Sequence, residues 1–183
     1  METSIIIALV AGGVTAIGWL ANHWLSGRRE EGRRRVEAQL KFVERQIEEL
    51  YGPLVFLIYE GRRTFADLLD TLGQNFVFPL PGEEELGTWL FWAEAEFLPR
   101  NEKIKSLLML KSHLIEGPRF PQSYVTFLDH ANSWAINHLR WKEQGVEYSW
   151  HSKINWPYEF ETEIIATFEK LKSLHSSLVG RLS

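Results

Sequence analysis

The sequence predicts an all-α protein: one N-terminal transmembrane helix followed by a cytoplasmic helical bundle of about five helices. Three observations predict it. An uncharged run of 22 residues, Ser4 to Leu25, opens the chain, and five arginines follow it closely. Beyond them, apolar residues recur at steps of three and four in each long segment. No segment sustains the alternation of two that marks a half-buried strand.

Composition agrees with a folded chain. Of 183 residues, 45% are hydrophobic and 24% charged, which excludes wholesale disorder. There is no cysteine, so disulfides, thiol catalysis and cysteine-ligated metals are excluded. The formal net charge of −4 argues against a general polyanion binder.

The first element is the membrane anchor, residues 1–27. At about 1.5 Å per residue, 20 residues cover roughly 30 Å, the hydrocarbon thickness of a bilayer. Trp19 and Trp24 fall toward the charged end, where amphipathic rings favour the interface. A cleaved signal peptide fits less well, because Met1 to Ser4 carry one acid and no base, and Asn22 to Leu25 are a poor cleavage context. Arg28, Arg29, Arg33, Arg34 and Arg35 form the positive flank that stays cytoplasmic, which puts the N-terminus outside. The same arginines are placed to contact anionic lipid heads. Their position against the span favours that role over a nucleic-acid arm. Ala8, Gly12 and Ala16 stand four apart, a spacing that lets two such helices approach closely.

Residues 28–183 make up the cytoplasmic domain. Val36, Leu40, Val43, Ile47, Leu50, Leu54 and Leu57 step by four and three, a heptad over three repeats. Phe42, Val55, Phe56 and Ile58 widen this face, which suits an intramolecular bundle better than a zipper between chains. Self-association through residues 36–57 is the competing use of the same stripe. Pro53 falls inside it without shifting the register, so the reading is a bent helix, not an ended one. The pattern continues to Leu72 through Phe65, Leu68 and Leu69. A loop follows over 73–82, with Phe76, Val77 and Phe78 read as exposed.

A third helix spans about 83–98, with three acids at its start and Pro99 at its end. Asn101 is read as the cap of a fourth, running to Ile115 with Ile104, Leu107, Leu108 and Leu114 inward. Pro121 opens a fifth, to about Trp141, with Tyr124, Phe127, Leu128, Ala131 and Trp134 on one side. After a connection over 142–156, Pro157 opens the last helix, whose stripe is Phe160, Ile164, Phe168, Leu171 and Leu178.

No phosphate loop, dinucleotide fingerprint, nucleophile elbow or zinc motif is present, so no catalytic residue, metal or cofactor is assigned. The one chemically suggestive region is aromatic. Trp134, Trp141, Trp150 and Trp156, with Tyr148 and Tyr158, gather around the 142–156 connection. With His130, His138, Arg140 and His151 they have the makings of a ligand pocket: apolar walls and a few polar groups. The plainer reading makes them wedges that seat a long loop. His130 and His138 stand eight apart, about 12 Å along a helix, too far to share one metal directly.

Several stretches resemble a group of bacterial single-pass membrane proteins with no assigned activity. They are EELYGPL (Glu48 to Leu54) after the arginine-rich stretch, PRNEKI (Pro99 to Ile104), HLI (His113 to Ile115), FPQSYVTFLDH (Phe120 to His130) and the Trp156-Pro157 step. The resemblance implies a bacterial source and an inner-membrane site. The function expected is a membrane-anchored, non-enzymatic interaction or oligomerisation module, whose protein partner the sequence does not name. The alternatives are a small-ligand sensor or enzyme using region 130–157, and a pore-forming defence effector.

Overall fold

Proline lacks the N–H that an α-helix needs, and its ring presses on the carbonyl four residues back. The chain meets this problem at Pro53 and at Pro99 and answers it the same way. The computed structural model describes residues 2–78, 82–147 and 155–183; the side chains of 2–18, 20, 21 and 25 lie outside the description. Helix α1 (Glu2–Gln46) runs into a single π-helical turn, Ile47–Tyr51, and then into α2 (Gly52–Leu72). The Gly52 N–H reaches five residues back to the Ile47 carbonyl. The wider turn takes in one extra residue, so Pro53 becomes the second residue of a fresh α-helix, where a missing N–H costs least. Backbone dihedrals at Gln46, Tyr51 and Gly52 are all right-handed helical. The helix therefore passes through Pro53 without a break.

Helix α3 (Glu83–Trp92), a second π-turn (Ala93–Phe97) and α4 (Leu98–Leu110) repeat the device, with the Leu98 N–H on the Ala93 carbonyl and Pro99 second in α4. This corrects the expectation that Pro99 ends a helix. It also corrects Asn101, which is a buried residue inside α4 and caps nothing. A 3₁₀ turn, Ser112–Leu114, closes this stretch. Helix α5 (Gln122–Gln144) stops at Gly145, whose φ of 62° is one that L side chains rarely adopt. Helix α6 (Tyr158–Leu182) follows Pro157. The described residues are all-α, 86% helical with no strand, and they form about four long helices where five were expected after the anchor.

Contacts divide the chain into two units, residues 1–43 with 174–183 and residues 44–173. The first buries Val36, Val43 and Leu178. The second is a bundle whose core holds Leu50, Leu54, Ile58, Leu68, Ile104, Leu114, Tyr124, Phe127, Phe160, Ile164 and Leu171. The heptad survives with one shift. The π-turn rotates Gln46 and Tyr51 inward beside Leu50 and leaves Ile47 half-buried. Phe42 and Phe56, expected to widen the buried face, are exposed, whereas Ile58 is buried. In the loop after α2, Phe76 is exposed as expected, but Val77 is buried and Phe78 packs edge-on to Trp89.

Among the described residues no helix is long and apolar enough to cross a membrane. The backbone of the expected span, residues 4–25, is helical, but most of its side chains lie outside the described residues.

Candidate functional site

Four of the six predicted ligand-binding residues share one face of α5. His130, Trp134, His138 and Trp141 follow each other at four, four and three residues, the spacing of a helical stripe. Helix geometry thus gathers them without any loop. Both histidines are buried, at 6% exposure each. The His130 ring lies edge-on to Trp156 at 5.6 Å and tilted against Trp134 at 5.8 Å. The His138 ring is 5.3 Å from Trp141, and its Nε2 donates to Glu94 Oε1 at 2.9 Å.

Glu94 is the residue that sequence reasoning missed. It lies in the second π-turn and collects two cationic or potentially cationic donors on one oxygen: Lys142 Nζ at 2.7 Å and His138 Nε2. The Lys142 hydrogen bond, then that of His138, holds its carboxyl below the usual range. A carboxylate orienting an imidazole is the arrangement that prepares a histidine for proton transfer. Here the pair lies against apolar packing. Trp134 stands edge-on to Trp89 at 5.0 Å, and Trp134 and Trp141 both pack on the cluster of Leu68, Val77, Trp89 and Ala93. The Trp89 indole N–H is buried without a hydrogen-bond partner among the described residues. Phe78 and Trp134 both stand edge-on to this ring.

The other two predicted residues do not join them. Arg140 is exposed on the far side of α5, 3.5 Å from Gln144. His151 lies outside the described residues, as do Tyr148 and Trp150. Trp156 belongs to a neighbouring polar knot instead. Its indole donates to Glu161 Oε2 at 2.9 Å, and Arg62 Nε donates to Glu161 Oε1 at 2.6 Å. Glu161 is buried at 5% exposure, and these donors satisfy it.

A second polar network joins the end of α1 and the first π-turn to the 3₁₀ turn and the residues just after it. Tyr51 accepts the Glu116 N–H at 2.9 Å, and Gln46 Nε2 donates to the Leu114 carbonyl at 2.9 Å. Burial drives the phenol pKa values of Tyr51 and Tyr124 upward, so both stay protonated. Such groups fix helix positions.

An open groove of about 840 Å³ lies elsewhere, between the start of α2 and α4. Gly52, Pro53, Phe56 and Leu57 line one side; Pro99, Glu102, Lys103, Ser106 and Leu107 line the other. It forms where the two π-turns deliver their prolines, and no motif in the sequence announced it.

The predicted lipid-contacting arginines are all exposed on α1. Three pair within the helix: Arg33 with Glu37 at 2.8 Å, Arg34 with Glu30 at 3.1 Å and Arg35 with Glu31 at 3.3 Å. The Arg28 guanidinium stacks 3.7 Å over Trp24, and Arg29 has no ion-pair partner among the described residues. Among the described residues no three His, Asp or Glu side chains converge to hold a metal. No protein-family model, curated protein or solved structure matches the chain.

Proposed function

We propose that the chain is a membrane-anchored, non-enzymatic interaction module on the cytoplasmic face of a bacterial inner membrane. The uncharged run from Ser4 to Leu25, ending in five arginines, carries this reading. Several structural features support it. The run has a helical backbone, and α1 continues past the arginines to Gln46. Every side chain from Ser26 to Arg35 is exposed, so no other described part of the chain covers this collar. Trp24 beneath the Arg28 guanidinium suits a headgroup region, where aromatic rings and cations meet phosphates. Intrahelical pairing with Glu30, Glu31 and Glu37 moderates the attraction to anionic lipid and leaves Arg28 and Arg29, nearest the span, to supply most of it. The sequence likeness to bacterial single-pass proteins points the same way.

The alternative, a sensor or enzyme built on the His and Trp face of α5, is weaker. Trp134 and Trp141 already pack on the apolar cluster, so their faces serve as packing surface more than as pocket walls.

The test is topological. A single cysteine at Ser183 of the full chain, expressed in cells, is expected to resist impermeant thiol label while the cells are intact and to react after lysis. The chain is expected to remain in the membrane pellet after alkaline carbonate. Labelling in intact cells reverses the orientation, and release by carbonate removes the span.

A further inference from the structure

We propose that the groove between α2 and α4 is the contact by which two copies of this chain pair about a two-fold axis. The proposal names the partner of the interaction module read above and rests on that reading. Its starting point is the outer face of α4. Of the five α4 residues that line the groove, four, Pro99, Glu102, Lys103 and Ser106, stand at spacings of three, one and three, and Leu107 adjoins them. These four are symmetric about the midpoint between Glu102 and Lys103. A two-fold axis through that midpoint lays α4 antiparallel on its copy and brings Glu102 opposite the other copy's Lys103, twice.

An isologous contact must be complementary to itself, and adjacent charges of opposite sign meet that condition. Two acids or two bases there would repel in this arrangement. Both side chains are exposed. Lys103 has no ion-pair partner among the described residues, and Glu102 holds only Lys105, three residues on and at the surface. Both are free to re-pair at little cost.

The apolar part fits the same partner. Phe56 stands 66% exposed at the lip of the groove, beside Pro53, Leu57 and Leu107. A Phe so exposed, beside a groove open enough to admit a side chain, matches the central aromatic anchor of an interface. Leu110, 65% exposed, extends the stripe three residues beyond Leu107. A membrane anchor would confine both copies to one plane, so a weak contact suffices at the resulting effective concentration.

The experiment uses the full chain in detergent, with sedimentation velocity over a range of concentrations. Wild type is expected to dimerise. Lys103→Glu and Glu102→Lys are each expected to weaken the dimer about tenfold, because each puts like charges together. Mixed one to one, these two variants are expected to form a heterodimer of about wild-type strength, since every facing pair is then opposite. Phe56→Ala is expected to weaken the dimer at least as much, with an unchanged circular dichroism spectrum. A wild type monomeric throughout overturns the proposal. So does a dimer equally strong in every variant, which would place the contact on another surface such as the N-terminal helix. Membrane fractionation of the same proteins reads the anchor separately: a chain recovered in the soluble fraction defeats the anchoring, and the charge-swap result still decides the interface.

Discussion

Arg100 shows what a buried cation requires. Its side chain is 6% exposed, yet each guanidinium arm it uses finds a partner. Nε donates to Glu60 at 3.2 Å, and Nη2 donates to Thr64 at 2.9 Å and to Glu96 at 2.8 Å. Its stem lies 3.3 Å from where a side chain at Gly61 would begin, so α2 and α4 approach closely there. Arg100→Leu is expected to cost about 2 kcal/mol in a denaturant melt. It leaves Glu60 and Glu96 facing each other, and their partial exposure keeps the loss below that of a wholly buried pair. Arg100→Lys should cost about half as much, because an ammonium carries the charge but cannot fork between partners. Equal losses would mean that charge alone matters.

Glu49 sets a pH dependence at the same scale. Arg45 at 2.8 Å and Lys111 at 2.7 Å hold its carboxyl at about 2, well below its ordinary 4.5. In the unfolded chain the group protonates near its ordinary value. The stabilisation is therefore whole above about pH 4.5 and disappears as the pH falls toward 2. Glu94 is shifted in the same direction. The melting temperature is expected to drop through this window, and Glu49→Gln to flatten the drop. A Gln variant with an identical pH profile would show that the pairing contributes nothing.

At the scale of the element, the two π-turns decide the architecture, and one glycine tests them. A Cβ at Gly52 would lie 2.7 Å from the Ile47 carbonyl oxygen, the acceptor of the π-turn's closing bond. That contact is with backbone, so it cannot swing aside. Gly87, inside α3, has open space around its Cβ position. Gly to Ala normally favours a helix by about 1 kcal/mol. The same substitution should thus act in opposite directions. Gly87→Ala is expected to stabilise by about 0.5–1 kcal/mol, and Gly52→Ala to destabilise by about 1–3 kcal/mol through overpacking. Stabilisation by both would mean that the turn relaxes to an ordinary α-turn.

The same elements mark how far the sequence could be read. Apolar spacing located the inward faces of the first π-turn, α2, α4, α5 and α6, because Leu50, Leu54, Ile104, Phe127, Phe160 and Ile164 repeat at helical intervals and burial follows that period. The register across Pro53 was legible for the same reason. Pro99 and Asn101 misled, because their local preferences for a break and a cap are overridden once a π-turn absorbs the proline. The polar partners were not legible at all. Glu161 meets Arg62 across 99 positions, and Glu94 meets His138 across 44. Periodicity says which face is turned inward but not which distant carboxylate stands opposite. The stripe of His130, Trp134 and His138 was visible as a stripe, while its Glu94 partner needed the second π-turn to be placed.

On the scale of the whole molecule, the collar from Ser26 to Arg35 determines where the chain can be cut. These ten residues are helical and every side chain is exposed, and the first buried residue after them is Val36 at 8%. A helix of this length has little stability alone and is held by neighbours in its own sequence. Arg33, Arg34 and Arg35 pair with glutamates four residues away, which supports the local helix without tying it to the core. Cutting the chain after Gly27 therefore severs backbone hydrogen bonds within an exposed stretch of helix, ahead of the first buried side chain at Val36. Residues 28–183 alone are expected to dissolve without detergent, to show a helical circular dichroism spectrum and to unfold in urea with the cooperativity of a packed bundle. Leu54→Ala in this shortened chain is expected to lower stability by about 2–5 kcal/mol, because Leu54 is fully buried and its loss leaves a cavity. A shortened chain that melts broadly, or one in which Leu54→Ala changes nothing, would mean that the bundle's order depends on what precedes Arg28, and residues 1–27 would then be part of the fold instead of an attachment to it.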